Sequence, residues 1–368
     1  MSLIIEPKKL EESDWEDLLS FIKNGQCILF VGPETVLKEP GVFYHQTLIQ
    51  SASFKDNDEF SYAPRDEMFL LKKPWSRGTL VRRFRDYCNK NNFYQDTYKK
   101  IAGIPFQTII LMSRYAFLTK YFKDNNFSFQ ERWFSKTRTV SPDVDDPSSE
   151  TPLLYNIFGK WEEDDSLLLT YDDLFSYLIN LLGKTKPIDP KLKDIVQSSS
   201  QIIFLGFKFE RWYIQLLLRL FELNKSDAKF QRTSTVSSDD EEIINICTTE
   251  FNMKFIDDNI ESFIDVLYDK CINAGVKLRE PTIVNSNKLL QDEFNKFMKE
   301  SNFDAALKNL ESLEVKNNSS ENKSIKLRGR WSSLKGDRER MLPGEYTAQE
   351  NGLRTDIITA FEQIMNNQ

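Results

Sequence analysis

The chain has 368 residues, enough for about two domains with separate cores, and its formal net charge of −7 excludes the strongly basic surface of a dedicated nucleic-acid binder. No apolar run approaches the ~18 residues of a membrane span, and the opening MSLIIEPKKLEESDWEDLL is too acidic for a signal peptide, so a cytoplasmic protein without membrane association is expected. The single histidine, His45, excludes a histidine pair within one chain, and the scattered Cys27, Cys88, Cys247 and Cys271 read as buried thiols in a reducing compartment, so no metal site is expected.

The apolar spacing predicts a helix over Trp15–Lys23, followed by a strand at Cys27–Pro33 (CILFVGP) that ends in a Gly-Pro turn. Helices are expected near Tyr44–Gln50 and Gly78–Asn89 within a mixed, aromatic-rich stretch. The clusters Lys72–Lys73 and Arg82–Arg83 read as solvated helix faces. A second strand lies in Ile104–Ser113, with an amphipathic segment at Tyr115–Phe122. Val140–Pro152 reads as an exposed loop, and PLLYNIFG (Pro152–Gly159) and SLLLT (Ser166–Thr170) as strands around the acidic turn Glu162–Asp165. Tyr171–Gly183 is helical by spacing, Ile202–Phe207 is a fully apolar strand, and Trp212–Leu223 is a helix packed on the sheet. Ser226–Asp240 reads as a surface loop, Ile243–Thr248 and Met253–Asp257 as strands, and Ile260–Cys271 as a helix. Short apolar strands alternating with helices imply a parallel, Rossmann-like α/β sheet covered on both faces. That domain is expected to span residues 1–281. Residues 282–368 read as a bundle of roughly four helices, at Asn295–Glu300, Phe303–Leu313, Ser324–Leu334 and Gly344–Met365, interrupted by the polar Lys316–Lys323.

Four segments in order, the helix before ILFVGPE, IILMSRYAFL, PLLYNIFGKWEEDDSLLLTYDDLFSYL and IIFLGFKFERWYIQLLL, resemble the sirtuin-like domains of bacterial conflict and anti-phage proteins. The resemblance implies a nucleotide pocket formed by Gly32, Glu34, Thr35, Asn156, Gly206 and Phe207, with NAD or a related nucleotide as its ligand. Asn156 also reads as an ordinary edge or loop hydrogen bond. In active relatives a histidine is the general base and an asparagine positions the ribose or the attacking water. Aligned on Gly159 and Thr170, the histidine position is Phe158, which cannot accept a proton; the asparagine position is Arg114, and the aspartate after it is Ala116. Gly32-Pro33-Glu34 removes one N–H donor and adds a negative charge where a pyrophosphate would approach. His45 reads as a surface or capping histidine. The resemblance therefore implies a non-catalytic sensor or scaffold, with no bound cofactor expected. The alternative is an NAD-consuming effector whose base is Glu34 or the Asp172–Asp173 pair.

The segments Phe303–Leu313 and Ile325–Ile364 resemble bacterial effector-associated domains of the death-like helical type, through Leu327, Gly329, Arg330 and Trp331 and then Glu345, Glu350, Leu353 and Arg354. Relatives are adaptors, so the resemblance implies a protein partner bearing a similar domain, with self-association also open. The charged residues Arg328, Arg330, Arg338, Arg340, Glu345, Glu350 and Arg354 are the candidate interaction surface. An internal Arg330–Glu350 ion pair is the competing reading. Leu327, Trp331 and Leu334, at i, i+4 and i+7, should face the core.

Overall fold

The computed structural model describes residues 9–55, 57–135, 145–160, 162–183, 188–224, 231–235, 240–282, 294–299, 302–316, 323–338 and 340–366. The chain divides into two units, Met1–Thr282 and Ile283–Gln368.

In chain order the first unit contains α1 (Glu12–Lys23), β1 (Cys27–Val31), β2 (Leu37–Glu39), β3 (Val42–Phe43), α2 (Tyr44–Gln50), β4 (Phe60–Ala63), β5 (Met68–Leu71), α3 (Arg77–Lys90) and α4 (Asp96–Gly103). It continues with β6 (Thr108–Leu111), α5 (Phe117–Asp124), β7 (Gln130–Trp133), β8 (Leu153–Asn156), α6 (Tyr171–Leu182), α7 (Pro190–Ser198) and β9 (Gln201–Leu205). It closes with α8 (Trp212–Leu220), β10 (Gln231–Thr235), α9 (Glu241–Phe251), β11 (Met253–Ile256) and α10 (Ile260–Asn273).

Alternation along the central strands explains why both faces of the sheet are covered. Cys27, Leu29 and Val31 of β1 enter one apolar cluster, with residues of α1, α3, α4 and α10. Ile28 and Phe30 enter the opposite cluster, with residues of α6 to α9. β9 divides in the same way, Ile203 and Leu205 to one side and Ile202 and Phe204 to the other. Among the described residues the main sheet has seven strands in the order β11-β10-β9-β1-β6-β8-β7. Every pairing in it is parallel. From β1 the chain moves outward through β6, and it later returns to β9 on the other side of β1. The carboxyl ends of β1 and β9 thus form a topological switch point, where ligands of open α/β sheets bind.

Three expectations are corrected. Ile243–Thr248 is helical, within α9, because the Asp240 side chain accepts from the amides of Glu242 and Ile243, and Ile244, Cys247 and Phe251 fall on one buried face. Within the stretch read as a loop, Gln231–Thr235 is β10, held between β9 and β11. Some of its polar side chains bond locally: Arg232 Nη1 donates to the Phe251 carbonyl at 2.6 Å, and Gln201 Nε2 donates to Thr233 Oγ1 at 3.0 Å. Ser166–Thr170 forms no strand of a sheet: Ser166 lies in a turn, and Thr170 makes an isolated bridge to Phe69. Positions 136–144, 225–230, 236–239 and 317–322, parts of the stretches read as polar loops, lie outside the described residues.

Near the end of this unit Arg279 is buried and donates to the carbonyls of Ala102, Phe106 and Ser149 at 2.6–2.7 Å. Burial lowers its pKa to about 10, and the three carbonyls fix the chain where the α/β unit finishes.

The second unit comprises α11 (294–299), α12 (Phe303–Lys316), α13 (Lys323–Asp337) and α14 (Pro343–Asn366) around its own core. Leu327, Trp331 and Leu334 are buried as their spacing predicts. Phe294 stacks on Phe361 with ring centroids 3.8 Å apart, and Phe303 meets Trp331 edge-on at 4.9 Å.

Candidate functional site

At the end of β1 the backbone turns directly against the end of β9. A Cβ on Gly32 would lie 2.2 Å from the Gly206 carbonyl oxygen, and one on Gly206, at φ +69°, would meet the Thr35 amide nitrogen at 2.7 Å. Both positions need glycine because two backbones touch there. The turn's amides are already bonded within the protein. Gly32 N–H donates to the Leu205 carbonyl at 2.8 Å, Glu34 N–H to Gly206 at 3.1 Å, Thr35 N–H to Gly32 at 3.3 Å and Val36 N–H to Pro33 at 3.1 Å. Pro33 has no N–H, and the Thr35 hydroxyl donates to the Gly32 carbonyl at 2.7 Å. The turn has closed on its neighbour.

Side chains fill the crevice instead. The β4–β5 hairpin carries a turn over Pro64–Glu67, and Glu67 ends it in the left-handed region at φ +53°, fully buried. That conformation costs a non-glycine residue about 1 kcal/mol or more, so the surroundings must over-determine it. They do. Arg211, 1% exposed, donates from Nη2 to Glu67 Oε1 at 2.6 Å and to Glu34 Oε1 at 3.0 Å, and from Nε to the Arg65 carbonyl at 3.1 Å. Lys208 Nζ stands 3.4 Å from Glu34 Oε1, and His45 Nδ1 is 3.6 Å from Glu67 Oε1. His45 is therefore a crevice residue with a 12% exposed side chain, stacked on Phe43 at 5.6 Å, which corrects its reading as a surface or capping group.

The electrostatics follow from this packing. Burial, then the neighbouring Glu67 carboxylate, pushes the Glu34 carboxyl up to about 7 against the opposing pull of Arg211 and Lys208. Burial alone would also raise Glu67, but Arg211, Arg114 and His45 hold it below the ordinary carboxylate range. Below about pH 7 the pair shares one proton, which Glu34 holds; above it both carboxyls are ionised. Burial lowers the pKa of His45, which stays neutral at pH 7. One ligand atom each from Glu34, His45 and Glu67 lie within 4.8 Å of one another, a donor set that could hold a divalent cation. Arg211 Nη2 already bonds to both Oε1 atoms, and Lys208 adds a second cation. The positive partner of these carboxylates is thus part of the chain, and the site does not fit a metal ion well.

The structure gathers Gly32, Glu34, Thr35 and Gly206 here but disperses the other candidate residues. Phe207 is buried in an aromatic cluster with Phe204 and Phe209. Asn156 lies at the end of β8, donating weakly to Thr119 Oγ1 at 3.4 Å. Phe158 is 1% exposed and contacts the rings of Tyr177 and Tyr213 at 6.5 and 6.2 Å. The glycine after it is at φ +92°, and a Cβ there would lie 2.0 Å from the Ser166 carbonyl oxygen. Arg114 is buried with Nη2 3.8 Å from Met68 Sδ, and its charge acts on Glu67 and His45; Ala116 is the N-cap residue of α5.

Asp173 is tied down structurally: it closes a capping box with Thr170 and receives Arg77 Nε at 2.8 Å. The acids of the turn at 162–165 meet separate partners, Glu162 with Lys123, Glu163 with the Trp133 indole and Asp164 with Arg85. Trp212, the first residue of the helix expected to pack on the sheet, is 41% exposed and stacks on the exposed Phe175. Glu67, Lys208 and Arg211 were absent from the sequence-derived set. Arg211 lies five residues beyond the glycine that follows β9, which is a weak signal; nothing local marks Glu67.

In the helical unit several of the seven charged candidates are engaged within the bundle. Arg328 pairs with Glu311 at 2.7 Å, and Arg354 donates to the Met298 carbonyl at 2.6 Å. Arg330 pairs with Asp356 at 2.6 Å and not with Glu350, because Asp356 of α14 is the carboxylate that comes opposite it. Arg338 lies over the Tyr346 ring at 5.5 Å, Arg340 is 3.9 Å from Asp337, Glu345 is exposed and Glu350 half-buried.

Residues 116–258 match the family model of the SIR2-like domain. The match begins beyond β6, so it takes in the Phe158 segment and the β9 end of the crevice but not the Gly32–Thr35 turn or the helical unit. No curated protein matches the chain. Among the described residues no helix is long and apolar enough to cross a membrane.

Proposed function

We propose that the chain is a non-catalytic, sirtuin-like platform joined to a helical recruitment module in a bacterial conflict system. The observation that carries the reading is the closed switch-point crevice, whose turn amides bond to the protein's own carbonyls and whose charged groups pair with one another. Phe158 supports it, since a phenyl ring packed against Tyr177 and Tyr213 offers no base. In the helical unit, Arg338, Arg340 and Glu345 are the candidate charges most open to a partner. Purified full-length protein incubated with NAD should release no nicotinamide above blank. Reversing Arg338 and Arg340 to glutamate should abolish capture of a protein bearing a similar helical domain; undiminished capture would refute recruitment through this face.

One observation favours a second reading, an NAD-consuming effector with a relocated acid. A buried carboxyl with a pKa near 7 is suited to general acid–base chemistry. Nicotinamide release that disappears on Glu34→Ala would establish this reading in place of the first. Asp173 is a poor second candidate because capping and Arg77 occupy its oxygens.

A further inference from the structure

We propose that Lys208 and Arg211 form an anion site for a phosphate-bearing ligand, and that the Glu34 carboxylate occupies it as an internal stand-in. Both cations come from the short segment between β9 and α8, at the switch point, and both converge on Glu34 Oε1, at 3.4 and 3.0 Å. Arg211 is 1% exposed, and its Nη1 has no hydrogen-bond partner. A buried guanidinium N–H without an acceptor is rare and marks a place where an acceptor belongs. Its Nη2 and Nε are anchored by Glu67 and the Arg65 carbonyl, so the guanidinium keeps its position when Glu34 leaves.

The cavity next to this cluster, from which the Glu34 side chain separates Arg211, bounds the size of the ligand. Glu34 and Lys208 line a space of about 220 Å³ together with Thr35, Thr97, Asn259 and Ile260. It has the volume of about seven water molecules, room for a phosphate or diphosphate and too little for a whole dinucleotide. Asn259 and Ile260 begin the 14-residue helix α10, whose N-terminal dipole favours an anion. Glu261, also in the lining, opposes one. Because the glycine-turn amides are already bonded, the ligand would be held by side chains, with Glu34 as its competitor. Replacing Glu34 leaves Arg211 on Glu67 and removes the carboxylate nearest to Lys208.

The inference rests on the reading of the crevice as closed in the wild-type chain, and the test separates the two. Full-length wild type, Glu34→Gln and Glu34→Gln/Lys208→Met are titrated calorimetrically with inorganic pyrophosphate at pH 7.5 and fixed ionic strength, with Glu34→Ala as a second opening variant. Wild type should bind weakly or not at all. Glu34→Gln should bind about tenfold or more tightly, and the added Lys208→Met should remove the gain. If neither opening variant gains affinity while both melt cooperatively, the anion site is overturned and the closed crevice stands. If wild type and both opening variants bind weakly or not at all, that outcome holds; tight binding by wild type, equal to that of Glu34→Gln, would instead overturn the closed crevice itself. A gain that survives Lys208→Met would overturn the assignment of Lys208. ADP titrated in parallel distinguishes the source: tighter binding than pyrophosphate marks a nucleotide's phosphates, and equal binding marks free phosphate.

Discussion

Glu34→Gln tests the electrostatics of the crevice through stability. In the fold the Glu34 carboxyl titrates near 7, against an ordinary value of 4.5. The folded state therefore binds a proton more tightly than the unfolded chain does. Stability associated with this group is fully present below pH 4.5 and is lost as pH rises through 7. A shift of that size corresponds to roughly 3 kcal/mol at alkaline pH. Glutamine keeps an acceptor for Arg211 and replaces the repulsion toward Glu67 with a donor. The variant should thus be more stable than wild type by about 1–3 kcal/mol at pH 8, with the difference vanishing near pH 4.5. His45 has a lowered pKa and titrates in the opposite sense, and Glu67, Lys208, Arg211 and Arg114 also face the crevice. The difference between variant and wild type isolates the part that depends on the Glu34 charge, including its coupling to Glu67. Urea unfolding of both proteins at pH 4.5, 6, 7 and 8, followed by tryptophan fluorescence, reads it directly. A difference independent of pH, or a variant less stable than wild type at pH 8, would refute the reasoning.

Arg211→Met strands Glu67 and Glu34 without their shared cation and should lower the stability of the α/β unit by about 3–5 kcal/mol, measured by urea unfolding at pH 7.5. Adding Glu34→Gln should restore part of that loss. Gly159→Ala forces a Cβ toward the Ser166 carbonyl at a positive φ and should cost about 3 kcal/mol or more, seen as a lower melting temperature or loss of soluble protein. Phe158→His places an imidazole where the proposed reading expects a lost base; with Arg114 unchanged, nicotinamide release from NAD should remain at blank. Trp331→Ala removes the ring that meets Phe303 in the second core and should destabilise that unit by about 3–5 kcal/mol, measured as loss of helical circular dichroism on heating, with the melting of the α/β unit unchanged.

The residues that determined local structure by themselves were those with strong periodicity. The runs that include β1, β6 and β9 are apolar on both faces, so a buried parallel sheet follows from composition and length alone. Leu327, Trp331 and Leu334 fix the inward face of α13 in the same manner. Gly32, Gly206 and the absence of a base at Phe158 could also be read in the chain. β10 could not, because QRTST has no apolar pattern and becomes a strand only through β9, β11 and the Phe251 carbonyl. The β4–β5 hairpin could have been suspected from FSYA and MFLL around a Pro-Arg-Asp-Glu turn, but the position of Glu67 against Arg211 could not, since 144 residues separate them. Tertiary structure alone decided that the crevice holds an internal ion network. A charge has no environment until distant segments bury it, and the pKa of Glu34 is set first by that burial and then by Glu67, Arg211 and Lys208, none of them its neighbour in sequence.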